Sequence, residues 1–336
     1  MAVRVLSTAE AQQALATKRA AGKHGLVAMF SSYLGGVVTD PSLMMVPLDD
    51  HGFHRGRAVF DTATLAGGDL YRLDIHVDRL FESCRLGWLE HSFTKDQIKE
   101  WVKGTAAASG LRNGNVRYWI TAGPGGFSFQ PKQCEEACFY CAVFQSQVIS
   151  GDGSQDVPTL KEISVPAAEV PLKPPALAQA KSNNYWLNVM THIAAAREGG
   201  VFGVGIREDG YISEAAVMNV TFVMRDGTVI TPPFSGILKG CTVRRSLELL
   251  RAASEKGQLV KSVEQRPILA TEARECVEMY FTGGDVHVFA ITHWDGKPVG
   301  DGKPGPVTRW VWQHLVKESE AGEEQRTPVP YPAAKL

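Results

Sequence analysis

Two kinds of apolar pattern alternate along the chain. "NGNVRYWITAG" and "ACFYCAVFQSQV" are dense in β-branched and aromatic residues and are bounded by polar or glycine positions, the pattern of two antiparallel strands. Before them, "GRAVFDTATLAGGDLYRLDIHVDRLFESCRLGWL" reads as strand, glycine turn, strand and helix, with Val77, Leu80, Cys84 and Trp88 at helical spacing. "QSQVISGDGSQDVPTL" then breaks the pattern with glycine, serine, proline and acidic residues, and predicts a connection with the domain boundary at residues 146 to 160. Past it, "YWLNVMTHIAAAREGG" and "TVRRSLELLRAASEKG" have helical spacing. "FGVGIRE", "GYISEAAVMNVTFVMRDGTVITPP" and "VEMYFTGGDVHVFAITHWDG" read as short strands. Turns such as "RDG" join most strand pairs, which predicts mixed α+β halves with flanking helices rather than a doubly wound parallel sheet. The organisation expected is a small N-terminal α/β domain (1–150), a larger C-terminal domain (151–322) and a disordered tail (323–336), with no internal repeat.

Composition adds limits. A chain of 336 residues with 44% apolar content supports a well-buried core in two domains. A formal net charge of -1, from 35 basic and 36 acidic residues, gives no overall field to draw nucleic acid or an anionic membrane, so a small neutral or zwitterionic partner fits better. No apolar run reaches the roughly 20 residues that cross a bilayer. The opening "STAEAQQALATKRAAGKHG" carries Glu10 and a cap at Ser7 or Thr8, and is read as a surface helix rather than an organellar address. The expected compartment is the cytoplasm, or a plastid if a transit segment has been removed.

"QCEEACFYCAVF" places Cys134, Cys138 and Cys141 at the spacing of a radical iron–sulfur enzyme. Since "ACFYCAVFQ" reads as a strand, Cys138 and Cys141 point to opposite faces and do not share one cluster. Reduced thiols and no metal are expected.

Three local features carry candidate chemistry. "FSGILKGCTVRRSLELL" is a glycine turn opening a helix, so the N–H groups of Cys241 and Thr242 and the Thr242 hydroxyl face any anion placed there; equally, Thr242 is a plain helix cap. Glu214 in "EDGYISEAAVMNVTFV" is a carboxylate before an apolar strand, either buried against a cationic or N–H partner or exposed on an edge. Lys181 in "PPALAQAKSNNYW" sits between a proline-rich loop and a helix. It is either a solvated charge or an amine pushed toward its neutral, nucleophilic form.

An amine, an anion cup and a carboxylate are together the parts of a pyridoxal phosphate site. With these segments the chain resembles, over roughly residues 25 to 315, the fold-type IV pyridoxal-phosphate enzymes: D-amino acid aminotransferases, branched-chain aminotransferases, aminodeoxychorismate lyases and (R)-selective amine transaminases. "HVDRL" resembles the segment whose arginine binds the cofactor phosphate, which implies Arg79. "AKSNN" resembles the segment of the Schiff-base lysine, which implies Lys181. "ISEAAVMNV" is similar to the strand whose glutamate meets the pyridine nitrogen, which implies Glu214 with Asn219 beside it. "ILKGCT" resembles the phosphate-cup turn, which implies Leu238, Gly240, Cys241 and Thr242. "HRGRAVFDTATL", "WITAGPGGF" and "KSNNYWLN" most resemble plant-type D-amino acid aminotransferases.

The resemblance implies a homodimeric, metal-free transaminase that moves an amino group from an amino donor, foremost a D-amino acid, to a keto acid acceptor by a ping-pong cycle. In it Lys181 forms the internal aldimine and shuttles a proton while Glu214 keeps the ring nitrogen protonated. The substrate side departs from the family. "AGPGGFSFQP" lacks the arginine and histidine with which bacterial D-amino acid aminotransferases trap the carboxylate, and Phe60, followed by Asp61 and Thr62, stands where they place a tyrosine. Arg57 and Arg117 are candidate replacements or ordinary surface charges, and Tyr185 and Trp186 shape the pocket with Phe60 and Thr62. Gly283 and Gly284 stand where relatives often carry hydroxyls, leaving backbone N–H groups to serve. These gaps keep an (R)-selective amine transaminase, an aminodeoxychorismate lyase and a branched-chain aminotransferase as alternatives, along with a cofactor-binding or unrelated α+β protein without turnover.

Overall fold

The computed structural model describes residues 3–19, 25–128, 130–145, 156–284, 287–321 and 323–332. The chain divides into two compact units, Met1–Gln147 together with Arg326–Leu336, and Val148–Gln325.

The first unit opens with α1 (Thr8–Arg19), started by a capping box: Ser7 Oγ accepts the Glu10 N–H at 3.3 Å and Glu10 accepts the Ser7 N–H at 2.8 Å. No residue of α1 is buried, as its polar sequence requires. There follow β1 (Leu26–Ser31), β2 (Gly36–Val38), α2 (His51–His54), β3 (Ala58–Ala66), β4 (Asp69–Tyr71), α3 (Leu73–Leu86), α4 (Lys95–Ser109), β5 (Gly114–Thr121) and β6 (Cys138–Phe144). With the strand Arg326–Pro328 they form a seven-stranded antiparallel sheet in the order Arg326–Pro328, β4, β3, β5, β6, β1, β2. Ala63, Leu65, Val116, Tyr118, Phe139 and Cys141 on one face pack against Leu73, Val77 and Leu80 of α3 and Ile98 and Val102 of α4. The period of two sends Phe60, Thr62, Arg117 and Trp119 to the other face. Cys138 likewise leaves the face of Cys141 and packs with Met29, Met44 and Tyr140, so the two thiols lie on opposite sides of β6.

The second unit comprises β7 (Thr159–Glu162), β8 (Ser164–Pro166), α5 (Pro175–Ala178), α6 (Trp186–Arg197), β9 (Val204–Ile206), β10 (Ile212–Ala215), β11 (Asn219–Met224), β12 (Thr228–Thr231), α7 (Cys241–Glu255), β13 (Ser262–Gln265), α8 (Ala270–Ala273), β14 (Cys276–Gly283), β15 (His287–Trp294), β16 (Lys297–Pro298) and α9 (Pro306–Ala321). One sheet runs β10–β9–β8, and a larger one runs β13–β12–β11–β14–β15–β16 with β7 beside β15. Pairs β8/β9, β12/β13 and β7/β15 are parallel and the other pairs antiparallel. Phe222, Met279, Phe281 and Phe289 pack on one side of the large sheet. Tyr280, Val288 and Ala290 pack on the other with Leu250 of α7 and Val311 and Leu315 of α9. Both units are mixed α+β, as the turn pattern predicts.

Two expectations are corrected, at Trp88 and in the C-terminal tail. Trp88 is not on the α3 face: Gly87 caps the helix, and Trp88 follows in the left-handed region (φ 50°) at 88% exposure. The division between the units falls at Gln147 and Val148, inside the expected connection at 146–160. Residues 146–155 lie outside the described residues, whereas Val157 is buried in the second core and Thr159 opens β7. The segment read as a disordered tail is structured through residue 332: Arg326 pairs with Tyr71, Val329 is buried in the first core, and the Arg112 guanidinium lies 3.8 Å over the Tyr331 ring. Its prolines suit an edge strand that satisfies the N–H and C=O row of β4 on one side only. Residues 333–336 lie outside the described residues.

Candidate active site

The second unit assembles its polar cluster from three backbone features: the end of β10, the start of β11, and the turn that leads from β12 into α7. Glu214 sits on β10 and accepts the Leu238 N–H at 3.2 Å through Oε2. Asn219, first residue of β11, donates Nδ2 to Leu238 O at 2.9 Å and to Glu214 Oε2 at 3.3 Å. One side-chain amide thus fixes both the turn and the carboxylate. The same contact dictates Gly240, because a Cβ there would collide with Asn219 Oδ1. Gly240 is the N-cap of α7, with extended backbone (φ -60°, ψ 137°) and no side-chain cap. Cys241 and Thr242, both 3% exposed, are the first two helical residues, so Thr242 is not the cap. The start of this fifteen-residue helix presents N–H groups and the positive end of its dipole.

Lys181 lies between α5 and α6, flanked by buried Ala180 and Ser182. Its Nζ donates to the Tyr185 hydroxyl at 3.2 Å. A second amine, Lys173 Nζ, lies 4.8 Å over the same Tyr185 ring. Lys173, Leu187, Asn188, Glu214 and Gly236 line one cavity. Burial pushes the Glu214 carboxyl up to about 7, against the pull of the Leu238 N–H and the positive Lys173 and Lys181. Burial also lowers Lys173; Glu214 opposes that shift and Lys181 adds to it. Glu214 is therefore no exposed edge acid, and Lys181 belongs to a charge-coupled group.

Gly283 closes β14, whose Thr282 pairs with Asn219. A side chain at Gly283 would strike Met218 Sδ, and Gly284 has φ 48°, so packing and backbone account for the missing hydroxyls. Trp186 opens α6 at 78% exposure.

The remaining sequence-derived residues lie in the first unit. Arg79 on α3 grips Asp61 with two hydrogen bonds, Nε to Oδ2 at 2.8 Å and Nη2 to Oδ1 at 2.7 Å, while His76 Nδ1 meets Oδ1 at 2.9 Å. Asp61 is fully buried. Burial alone would raise its carboxyl, but Arg79 and His76 hold it well below the usual carboxylate range. Arg117 donates Nε to Thr62 Oγ1 at 3.0 Å and lies 5.5 Å over the Phe60 ring, so Phe60, Thr62 and Arg117 converge on the open sheet face. Arg57 is half-buried against the Cys134 thiol. Sequence reasoning missed Lys173, boxed between prolines with no spacing rule to connect it to Glu214. It also missed Asp61 and His76 as partners of Arg79, although the His-x-x-Arg step on one helix face was a usable signal.

A family model described as amino-transferase class IV matches residues 58–294. This chain belongs to the class IV aminotransferases. It is 35% identical over 332 residues to the D-amino-acid transaminase, chloroplastic, of Arabidopsis thaliana, covering 98% of this chain and 86% of that one. It is 28% identical to a branched-chain-amino-acid aminotransferase of Pseudomonas aeruginosa, covering 82% and 90%. Among solved structures, the branched-chain amino acid aminotransferase of Escherichia coli superposes with a TM-score of 0.79 at 22% identity, over 90% of this chain and 99% of that one, which gives the fold. The class IV aminotransferases are fold-type IV enzymes that use pyridoxal 5′-phosphate. The residues present fit that cofactor: an uncapped helix start behind a glycine approach, a part-buried carboxylate held by N–H donors, and a part-buried amine within reach of a tyrosine hydroxyl. Among the described residues no group of three metal-ligating side chains is assembled, and no helix is long and apolar enough to cross a membrane.

Proposed function

We propose that this aminotransferase takes its amino group from a D-amino acid and passes it to a 2-keto acid, with Lys181 and Glu214 as the working residues. The hydrogen-bonded set of Glu214, Asn219 and Leu238, electrostatically coupled to Lys181, carries the reading. Similarity to the Arabidopsis D-amino-acid transaminase over nearly the whole chain supports the donor class.

The bound cofactor supplies an electron sink for the bond broken at the substrate carbon. Lys181 would anchor it through Nζ, and the same amine would carry the proton on and off the reacting carbon. Tyr185 holds Nζ by its hydroxyl and keeps it aimed. Glu214, steadied by Asn219 and Leu238, would hold a proton on the ring nitrogen. Within the second unit, the N–H groups of Cys241 and Thr242, the Thr242 hydroxyl and the backbone at Gly283 and Gly284 would take the phosphate. In the first unit Phe60, Thr62, Arg117 and Arg57 are the substrate candidates, Arg117 being the carboxylate partner that stands in for the missing loop arginine; in the second unit the candidates are Tyr185 and Trp186. The assembly is a homodimer and the compartment the cytoplasm, or a plastid as for the chloroplastic Arabidopsis relative.

The test is an absorbance scan of the purified holoenzyme on adding D-alanine, L-leucine or (R)-1-phenylethylamine without an acceptor. Bleaching of the cofactor band by D-alanine supports the proposal; bleaching by L-leucine alone, the donor class suggested by the Pseudomonas relative's name, overturns the D-amino acid assignment. Pyruvate released from aminodeoxychorismate without an acceptor makes the protein a lyase. Retention of the band in Lys181→Ala removes Lys181 from its role.

A further inference from the structure

We propose that Lys173 is a positioning residue of this site: its ammonium, seated on the Tyr185 ring and lining the same cavity as Glu214, favours the charged form of that carboxylate and braces the ring whose hydroxyl receives Lys181. The inference rests on the reading that Lys181 and Glu214 serve the cofactor, and adds a residue outside the motifs that suggested them.

The placement of Lys173 is built into the chain. Pro171, Pro174 and Pro175 surround it, and prolines fix φ, so the lysine is presented by a stiff segment that leads into α5. It lines the same cavity as Glu214, beside apolar Leu172, Ala178 and Leu187. A solvated lysine has no reason to enter such a setting, because burial penalises its charge and does lower it here. Two features hold it there. One is the face of Tyr185, 4.8 Å from Nζ, a cation–π distance. The other is the charge of Glu214, which acts to keep the ammonium protonated.

Tyr185 links the two amines, since its ring carries Lys173 and its hydroxyl receives Lys181. The charged groups that act on Lys173 are Glu214 from β10 and Lys181 from the loop before α6; those that act on Glu214 are Lys173 and Lys181, with the Leu238 N–H. Removing Lys173 therefore has a signed effect: Glu214 loses a cation that favours its ionised form. A merely space-filling lysine would not produce it.

The experiment uses Lys173→Met, Lys173→Gln and Lys173→Arg in the full chain. In the cofactor-free protein, isotope-edited infrared spectroscopy of the Glu214 carboxyl should place its titration midpoint at higher pH in the Met and Gln variants and return it toward the wild-type value in Lys173→Arg. In the holoenzyme, the pH midpoint of the cofactor absorption band should also move up, with kcat lowered at least tenfold and KM changed less. Gln, the more polar replacement, keeps the test in hand if Met does not fold. Unchanged midpoints in either neutral variant overturn the role of Lys173, whatever the activity. Retention of the band in Lys181→Ala would instead overturn the cofactor reading, while the cofactor-free titration still reports on Lys173 and Glu214.

Discussion

At the scale of single residues, Glu214 gives the cofactor-free protein a pH dependence of its own. Its folded-state value of about 7 lies above the ordinary 4.5, so the native state keeps a proton that the unfolded chain has already lost. The contribution is fully present below pH 4.5 and is lost as pH rises through about 7. Thermal melts of the cofactor-free protein across that window should show wild type falling relative to Glu214→Gln; a constant difference between the two would refute the buried carboxyl. Gly240→Ala tests the other side of the cluster. Its φ of -60° suits alanine, so the penalty is one of space against Asn219 Oδ1, about 1–3 kcal/mol by analogy with overpacked cores. Chemical denaturation should show that loss together with weaker retention of pyridoxal phosphate. Lys181, Glu214 and Thr242 were legible as a set, though each was ambiguous alone. Lys173 was not legible, because what defines it is a tyrosine ring and a carboxylate brought in from distant elements.

At the scale of elements, α3 and β3 are joined by one buried carboxylate. Asp61→Asn leaves the Arg79 guanidinium and His76 without their anion, and breaking such a buried pair should lower the unfolding free energy by about 3–5 kcal/mol in denaturant titrations. The sign with pH follows from the depressed value: the stabilisation is present above the ordinary 3.8 and is lost as pH falls further, through the folded value, so Asp61→Asn should also flatten the acid limb of the stability curve. The alternation in β3, β5 and β6 was readable because one face of each is core, and the same alternation correctly separated Cys138 from Cys141. Periodicity carried the α3 reading two residues too far, since Trp88 falls in step with Val77, Leu80 and Cys84 while Gly87 has already ended the helix. The parallel pairings of β12 with β13 and β7 with β15 had no local signature, because parallel neighbours are chosen across long crossovers.

At the scale of the whole molecule, the chain leaves the first unit at Gln147 and returns to it at Arg326. Composition hid the return: prolines and charges read as disorder, and nothing local announces that β4 is waiting for a partner. Truncation after Gln325 should bare the β4 edge and uncover the site of Val329, raising amide exchange in Asp69–Tyr71 and in the core strands of the first unit while leaving the second unit's exchange unchanged. Equal exchange in the truncated and full chains would mean that the strand is only laid on. The same excursion sets an order on biosynthesis. The ribosome must translate all of the second unit before Arg326–Pro328 emerges, so the first unit completes its sheet only after the second has been made, and a nascent chain exposes the β4 edge to chaperones until that strand arrives.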